Sequence, residues 1–398
     1  MDATTPYALT AAAAEAPTAV AAPDLPDRPA VVELRLSAYK AHRGVVFPIG
    51  PLTVFTGPSG SGKSSALEAY AALSRLAGGA PLDEVFPDPS ACVPERARPD
   101  AERRRGFRIG CTVDGPLGEV RLDLAVQAEP ELRVVGERLT GGGQILLSTA
   151  LRDPGRRTVQ AAWHTAGAVP VTRAPLPDDL LGTALLPLRV AGKTPGQRLV
   201  LAAAEQALVA LRSVFACDPR PERMRAPVPV GEGRLRGDCG NLAEVLRRTR
   251  SECAIRHGVL VEACRAGCSG PVADLTAELL DDGMVRAVLD RGERGATPIG
   301  RLGDGELRHL ALALVLLTGP GVLEMDHVAE VLPARQAMTV LADGFDRCLD
   351  PRQARELLAL AARMGERGHV RLVGAVRDGA LAAYAGGLEG VSVVDLGA

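Results

Sequence analysis

Residues 57–65 read Gly-Pro-Ser-Gly-Ser-Gly-Lys-Ser-Ser, which is a complete Gly-x-x-x-x-Gly-Lys-Ser phosphate loop. Glycines at these positions let successive backbone N–H groups turn inward around an anion, and the lysine brings a mobile positive charge to the β and γ oxygens of a triphosphate. The serine after the lysine can ligate Mg²⁺. The loop therefore predicts a nucleoside triphosphate site formed by Gly57, Ser59, Gly60, Ser61, Gly62, Lys63, Ser64 and Ser65.

The flanking sequence has the order that such a loop requires. Leu52–Thr56 has the composition of a buried strand, and Ser65–Leu73 has that of a helix. A strand, a phosphate loop and a helix in this order predict an α/β fold of the P-loop NTPase type. The N-terminus of the helix adds its positive dipole end to the site.

Composition excludes several other classes of protein. The chain has 398 residues, 46% of them hydrophobic and 24% charged, which suits a large soluble core. A formal net charge of −2 argues against a protein that coats nucleic acid over its whole surface. Residues 1–30 lack the positive start of a signal peptide and are expected to be a disordered tail, and no apolar run approaches the roughly 18 residues of a membrane span. The expected location is the cytoplasm, with no membrane partner.

The pattern of hydrophobic residues changes along the chain. Alternating runs between Phe107 and Arg173 predict an antiparallel β-layer, and helical spacing over Arg198–Phe215 and Asn241–Ala266 predicts helices. Strand signals return at Met284. The predicted division is a tail at 1–30, a nucleotide-binding head with its β-layer at 31–179 and 284–398, and an inserted helical lobe at 180–283.

Two segments in the second half complete the predicted site. Val340-Leu-Ala-Asp343 is typical of a Walker B strand, whose terminal carboxylate holds Mg²⁺ through water, so Ser64 and Asp343 are the predicted metal-binding residues. The turn Leu302-Gly-Asp-Gly-Glu306 precedes an amphipathic helix and is typical of an ABC signature. Its glycines, Gly303 and Gly305, are the predicted contacts to a γ-phosphate held by another subunit.

In this order and at these separations, the sequence resembles the ABC-type ATPase heads of the SMC/RecF/OLD class, within the compact bacterial group called AAA family ATP-binding proteins. The resemblance covers roughly residues 31–378 and implies a head that binds ATP and Mg²⁺ and closes as a homodimer around two nucleotides. Such heads usually serve DNA repair, chromosome organisation or defence, so DNA or a partner protein is also implied. The segments that carry the resemblance are 32–39, 50–65, 221–225, 235–246, 302–310 and 343–351.

The chain departs from the family pattern at three positions near the γ-phosphate. Gly344 stands where the family has the glutamate that positions or deprotonates the attacking water, Gly303 replaces the signature serine, and Val376 and Arg377 stand where a switch histidine is expected. Groups that position or deprotonate the nucleophile contribute about 10²–10⁴-fold in rate, so hydrolysis is expected to be weak unless another acid substitutes. Asp346 is the candidate catalytic residue.

Three functions remain open at this point: an ATP-binding head with slow or absent hydrolysis, a working ATPase that uses Asp346 or a partner's residue, and a P-loop kinase or GTPase. The chain lacks the Asn-Lys-x-Asp guanine motif, and the signature-like turn argues against a kinase. DNA binding has a candidate surface in an arginine-rich stretch, although a solvated loop explains the same composition in an arginine-biased chain. Its arginines are Arg96, Arg98, Arg103, Arg104, Arg105 and Arg108.

Overall fold

The computed structural model describes residues 28–167, 169–231, 233–325 and 336–397. Within these ranges the strands form three sheets. The predicted tail lies outside the described residues, except for its last three positions. The strands are β1 Ala30–Tyr39, β2 His42–Pro48, β3 Leu52–Thr56, β4 Arg105–Asp114, β5 Val120–Glu129, β6 Arg133–Gly141, β7 Gln144–Ala150, β8 Thr158–His164, β9 Val171–Pro177, β10 Val214–Ala216, β11 Val228–Pro229, β12 Asp274–Leu279, β13 Met284–Asp290, β14 Ala296–Pro298, β15 Met338–Ala342, β16 Val370–Ala375 and β17 Val391–Asp395.

The helices cover both faces of the parallel sheet and one face of the large antiparallel sheet. None of the helices in the described ranges is both long enough and apolar enough to cross a bilayer. They are α1 Lys63–Ala77, α2 Leu82–Val85, α3 Gly182–Arg189, α4 Pro195–Arg212, α5 Pro221–Met224, α6 Leu242–Glu252, α7 Ala254–Gly267, α8 Asp304–Leu317, α9 Pro351–Glu366 and α10 Gly379–Gly386.

The predicted antiparallel layer is an eight-stranded sheet with the order β2-β1-β4-β5-β6-β7-β8-β9. Buried residues alternate with more exposed ones along β8 and most of β5, because one face of the sheet packs on the core and the other faces outward. Helix α4 packs across the inner face of this sheet, against β5 and β8 among others. The layer and α4 share one hydrophobic cluster with α1.

The nucleotide-binding half is built on a parallel sheet with the order β10-β15-β16-β3-β17. Neighbouring residues of β15 pack in different hydrophobic clusters. Val340 packs in the cluster that contains residues of α8 and α9, and Leu341 packs in the cluster that contains residues of α1 and α4. This two-sided burial is what the apolar composition of β3 and β15 predicts. Because the strands are parallel, the loops after β3, β10, β15 and β16 all leave from the same edge.

The structure corrects two helix boundaries. The helix predicted over 198–215 ends at Arg212, and the next residues form β10, which pairs with β15. The helical stretch predicted over 241–266 is two helices, because Cys253 between them is extended and caps α7 by accepting from the Arg256 N–H. The inserted lobe at 180–283 stays a prediction; its range also supplies β10 and β12, which pair with strands outside it.

Candidate functional site

The phosphate loop lies between the end of β3 and the start of α1, as predicted. Three of its glycines have positive φ: 136° at Gly57, 84° at Gly60 and 99° at Gly62. At Gly62 a side chain is excluded twice, since its φ is left-handed and a Cβ would stand 2.7 Å from the His42 ring. The ring nitrogen Nε2 of His42 also lies 2.9 Å from the Gly62 carbonyl oxygen. His42, the first residue of β2, therefore supports the loop at Gly62.

The polar groups of the loop suit a bound phosphate chain. Lys63 Nζ donates to the carbonyl oxygens of Gly57 at 2.6 Å and Pro58 at 2.9 Å, which keeps the ammonium folded over the loop. Ser61 Oγ is buried and has no hydrogen-bond partner among the described residues. Since a buried hydroxyl without a partner costs free energy, a ligand oxygen at this position would satisfy it. The free N–H groups at the start of α1 add to the same anion site.

Ser64 and Asp343 line one cavity of about 280 Å³ at the edge of the parallel sheet. Asp343 follows β15 directly, and its half-buried carboxylate has no hydrogen-bond or ion-pair partner in the described part of the chain. The structure thus brings together the hydroxyl and the carboxylate that the sequence predicts as magnesium-binding groups. The cavity is lined by Ser64, Leu67, Glu68, Ala71, Ala216, Cys217, Asp218, Arg220, Gly237, Asp238, Leu341 and Asp343.

Asp218 lines the same cavity and was not predicted from the sequence. Its carboxylate pairs with Arg308 Nη1 at 3.1 Å and with Arg347 Nη1 at 3.3 Å. It lies just beyond β10, a strand of only three residues that the sequence pattern assigns to the preceding helix. Two signals were available: Ser213, a weak helix former directly before β10, and Pro219, which follows Asp218 and marks the end of a helical pattern.

Gly344 shows why this chain has no carboxylate next to Asp343. Its φ is +59°, and a Cβ there would stand 3.0 Å from Arg347 Nη2. Arg308 donates to the Gly344 carbonyl oxygen at 3.1 Å, which fixes the peptide in this conformation. A side chain at position 344 would be strained whatever its chemistry.

Asp346, the candidate catalytic residue, binds the backbone of the loop after β16 in this structure. Its Oδ2 accepts from the backbone N–H groups of Arg377 at 2.8 Å and Asp378 at 2.9 Å, which ties the turn after β15 to the loop after β16. Its Oδ1 is buried without a partner among the described residues. Asp346 does not line the cavity that holds Ser64 and Asp343. The catalytic role of Asp346 therefore stays a prediction, whereas its anchoring role is visible.

The signature-like turn is held rigidly at the start of α8. Gly303 is the N-cap residue with an ordinary φ of −66°, and its N–H donates to Glu306 Oε2 at 3.2 Å. Arg225 donates to the Leu302 carbonyl oxygen at 2.8 Å and pairs with Asp304 at 2.5 Å. Neither glycine of the turn lines the cavity with Ser64, so this turn does not complete the phosphate site of its own chain.

Gly305 packs too closely against its own chain to be replaced by a residue with a side chain. A Cβ at this position would stand 2.5 Å from the Cys348 carbonyl oxygen and 2.8 Å from Gln353 Oε1. Gly303 has no such neighbour within 3.9 Å. Close packing against the turn after β15 therefore explains Gly305, and of the two predicted phosphate contacts only Gly303 is free of such a constraint.

Two arginines of the predicted DNA-binding stretch are paired with acids. Arg104 pairs with Asp100 at 2.9 Å, and Arg105 pairs with Glu129. These pairs neutralise part of the charge that would face a phosphate backbone. The expectation that DNA is a partner is therefore supported mainly by the family resemblance, and less by this arginine-rich stretch.

Comparisons with known proteins give the class of fold. No protein-family profile matches the chain, and neither does any curated protein. The solved structure of an SMC head bound to the C-terminal winged-helix domain of ScpA is similar, with 13% identity, a TM-score of 0.51, and coverage of 89% of this chain and 92% of that one. The SMC head domain from Thermotoga maritima covers the same shares, with 12% identity and a TM-score of 0.43.

The match with a TM-score of 0.51 shows the fold. This chain has a mixed α/β fold of the SMC-head type, a P-loop NTPase fold that combines a parallel sheet with a large antiparallel sheet. The predicted fold class is confirmed.

Proposed function

We propose that this chain is an ATP- and Mg²⁺-binding head whose nucleotide drives it to dimerise, and whose own hydrolysis is weak. The observation that carries the proposal is the cavity lined by both Ser64 of the phosphate loop and Asp343, a carboxylate with no partner among the described residues. Mg²⁺ prefers one or two carboxylates together with phosphate oxygens, which is the donor set these residues and a triphosphate would supply. When bound, the metal would neutralise charge on the β and γ phosphates.

Slow hydrolysis follows from the groups around the γ-phosphate side of the site. Gly344 has no carboxylate, Val376 is buried and has no imidazole, and Asp346 is engaged with backbone N–H groups. The groups that hold a triphosphate are retained, while those that orient water on it are replaced. Such a head would keep ATP bound, and ATP binding would drive its function more than ATP hydrolysis does. The competing function, a working ATPase, requires a carboxylate from elsewhere in the chain or from a partner.

Dimerisation is supported by the signature-like turn. The turn is exposed at Gly303 and Asp304, is held rigidly by Arg225, and lies away from the cavity of its own chain. A helix N-terminus presented in this way suits an anion held by a second subunit. One similar structure is an SMC head bound to a domain of ScpA, so we also propose a protein partner. DNA is the partner that the resemblance implies.

The magnesium dependence of ATP affinity tests the shared site. We expect Mg²⁺ to raise the ATP affinity of the natural chain by about tenfold or more, equivalent to about 1.4 kcal/mol. Ser64→Ala and Asp343→Asn should lose this increase and keep the magnesium-free affinity. Ser74→Ala, on the same helix as Ser64, is the control and should behave as the natural chain. Calorimetric titrations with and without EDTA measure all four, and an undiminished Mg²⁺ effect in Asp343→Asn would exclude the shared site.

A further inference from the structure

Asp218 and Asp343 lie at the ends of two neighbouring parallel strands. Ala216 of β10 is paired with Leu341 of β15, and the Cys217 N–H donates to the Leu341 carbonyl oxygen at 2.8 Å. Asp218 and Asp343 each follow this pair by two residues. Both therefore reach the same edge of the sheet, and both line the cavity with Ser64.

The carboxylate of Asp218 is oriented without being sealed from water. Its side chain is 39% exposed, while that of Arg308, its partner at 3.1 Å, is only 3% exposed. Arg308 extends from α8 and also donates to the carbonyl oxygens of Pro219 and Gly344, so it ties the ends of β10 and β15 together. Arg347, in the turn after β15, also pairs with Asp218. Arg220 Nε also lies 4.0 Å from this carboxylate, and Arg347 is itself 40% exposed. The buried Arg308 is therefore the partner that orients Asp218, and a water molecule can still reach the carboxylate.

The other acids that line the cavity do not extend from strand ends of the parallel sheet, since Glu68 lies on α1 and Asp238 lies in the loop before α6. Glu68 pairs with Lys40, and Asp238 pairs with Arg223 at 2.8 Å and accepts from the Gly240 N–H at 2.9 Å. Asp346 does not line the cavity. With Asp343 assigned to the metal, Asp218 is the cavity-lining carboxylate that is held in place at a strand end.

We infer that Asp218 positions the water that attacks the γ-phosphate, and so sustains the weak hydrolysis that remains without a carboxylate at position 344. This inference rests on the proposed ATP site. The water donates a hydrogen bond to Asp218 while its oxygen forms a bond to the γ-phosphorus. The bond between that phosphorus and the β–γ bridging oxygen breaks, ADP leaves, and the water's proton passes through the carboxylate to solvent. ATP and water thus yield ADP, phosphate and a proton.

We assign the residual ATP hydrolysis to Asp218 and not to Asp346. Single-turnover hydrolysis of γ-labelled ATP by variants of each residue distinguishes between these assignments. We expect Asp218→Asn to lower the hydrolysis rate by about 10²-fold with unchanged ATP affinity. Asp218→Glu keeps a carboxylate and should retain an intermediate rate. Asp123→Asn is the matched control and should keep the natural rate, because Asp123 is also paired with two arginines, Arg35 and Arg121, but lies on β5 outside the cavity.

Three results would overturn the inference. They are an unchanged rate in folded Asp218→Asn, a loss of rate in Asp346→Asn with the rate of Asp218→Asn unaffected, and the absence of any turnover in the natural chain. If Asp218→Asn does not fold, as judged by its thermal transition, the same decision rests on Asp218→Ser, which also lacks the carboxylate and whose unchanged rate would contradict the inference. Failure of ATP binding in the natural chain would instead refute the proposed function.

Discussion

Replacing Lys63 with alanine is expected to lower ATP affinity by about 10²-fold or more. The lysine supplies the mobile cation of the phosphate loop, and a hydrogen bond to a charged group contributes about 1.5–3 kcal/mol. In the structure its ammonium donates to the carbonyl oxygens of Gly57 and Pro58, so it is already folded over the loop and needs little reorganisation to reach a phosphate. Calorimetric titration with ATP and Mg²⁺ measures the change.

The chain offers a close control for this substitution. It has only three lysines, and Lys193 lies exposed in the loop before α4, away from the cavity. Lys193→Ala removes the same charge and should leave ATP affinity unchanged. Equal affinities in Lys63→Ala and the natural chain would show that residues 57–65 are not the nucleotide site.

Arg371→Met is expected to lower the free energy of unfolding by about 2–4 kcal/mol. Arg371 is buried in β16 and donates to the carbonyl oxygens of Val31 at 2.7 Å and Ile49 at 2.8 Å. It therefore joins the parallel sheet to the first hairpin of the antiparallel sheet. Methionine leaves both buried carbonyls unpaired, at about 1–3 kcal/mol each, and the relief of a buried charge offsets part of this cost. Burial lowers the pKa of Arg371, which is consistent with that cost of holding the charge.

Urea denaturation of Arg371→Met beside Arg173→Met measures the effect. Arg173 lies exposed on β9, so the same substitution there should change stability by less than about 0.5 kcal/mol. Equal stabilities of the two variants would mean that the Arg371 contacts do not hold the two sheets together.

The parts of the fold that could be predicted are those with a strong local pattern. β3, β15 and β16 are short apolar runs that need cover on both faces, and the phosphate loop has a spacing that few other structures use. Their order along the chain was enough to bring Ser64 and Asp343 to one edge of one sheet. The alternating runs between Phe107 and Arg173 predicted the antiparallel layer, and the similar solved structure shares the fold of this chain.

The parts that could not be predicted depend on contacts between distant segments. Asp218 reaches the site because β10, only three residues long, pairs with β15, and a strand this short carries no alternation in its sequence. The arginines that hold Asp218 come from α8 and from the turn after β15, and α8 begins 86 residues after it in the chain. Asp346 was a reasonable candidate from sequence because it follows β15 closely, yet its bonds to the backbone of Arg377 and Asp378 are visible only in three dimensions.

The most direct test of the account is light scattering of the full chain with saturating ATP and Mg²⁺, combined with a measurement of how long the γ-phosphate is retained. We predict a mass of twice the 41.4 kDa of one chain, one nucleotide per chain, and triphosphate that persists while the dimer persists. ADP in place of ATP should leave the chain monomeric, because the signature-like turn would have no γ-phosphate to contact. A chain that stays monomeric with ATP bound, and with the triphosphate hydrolysed at an ordinary ATPase rate, would contradict the account.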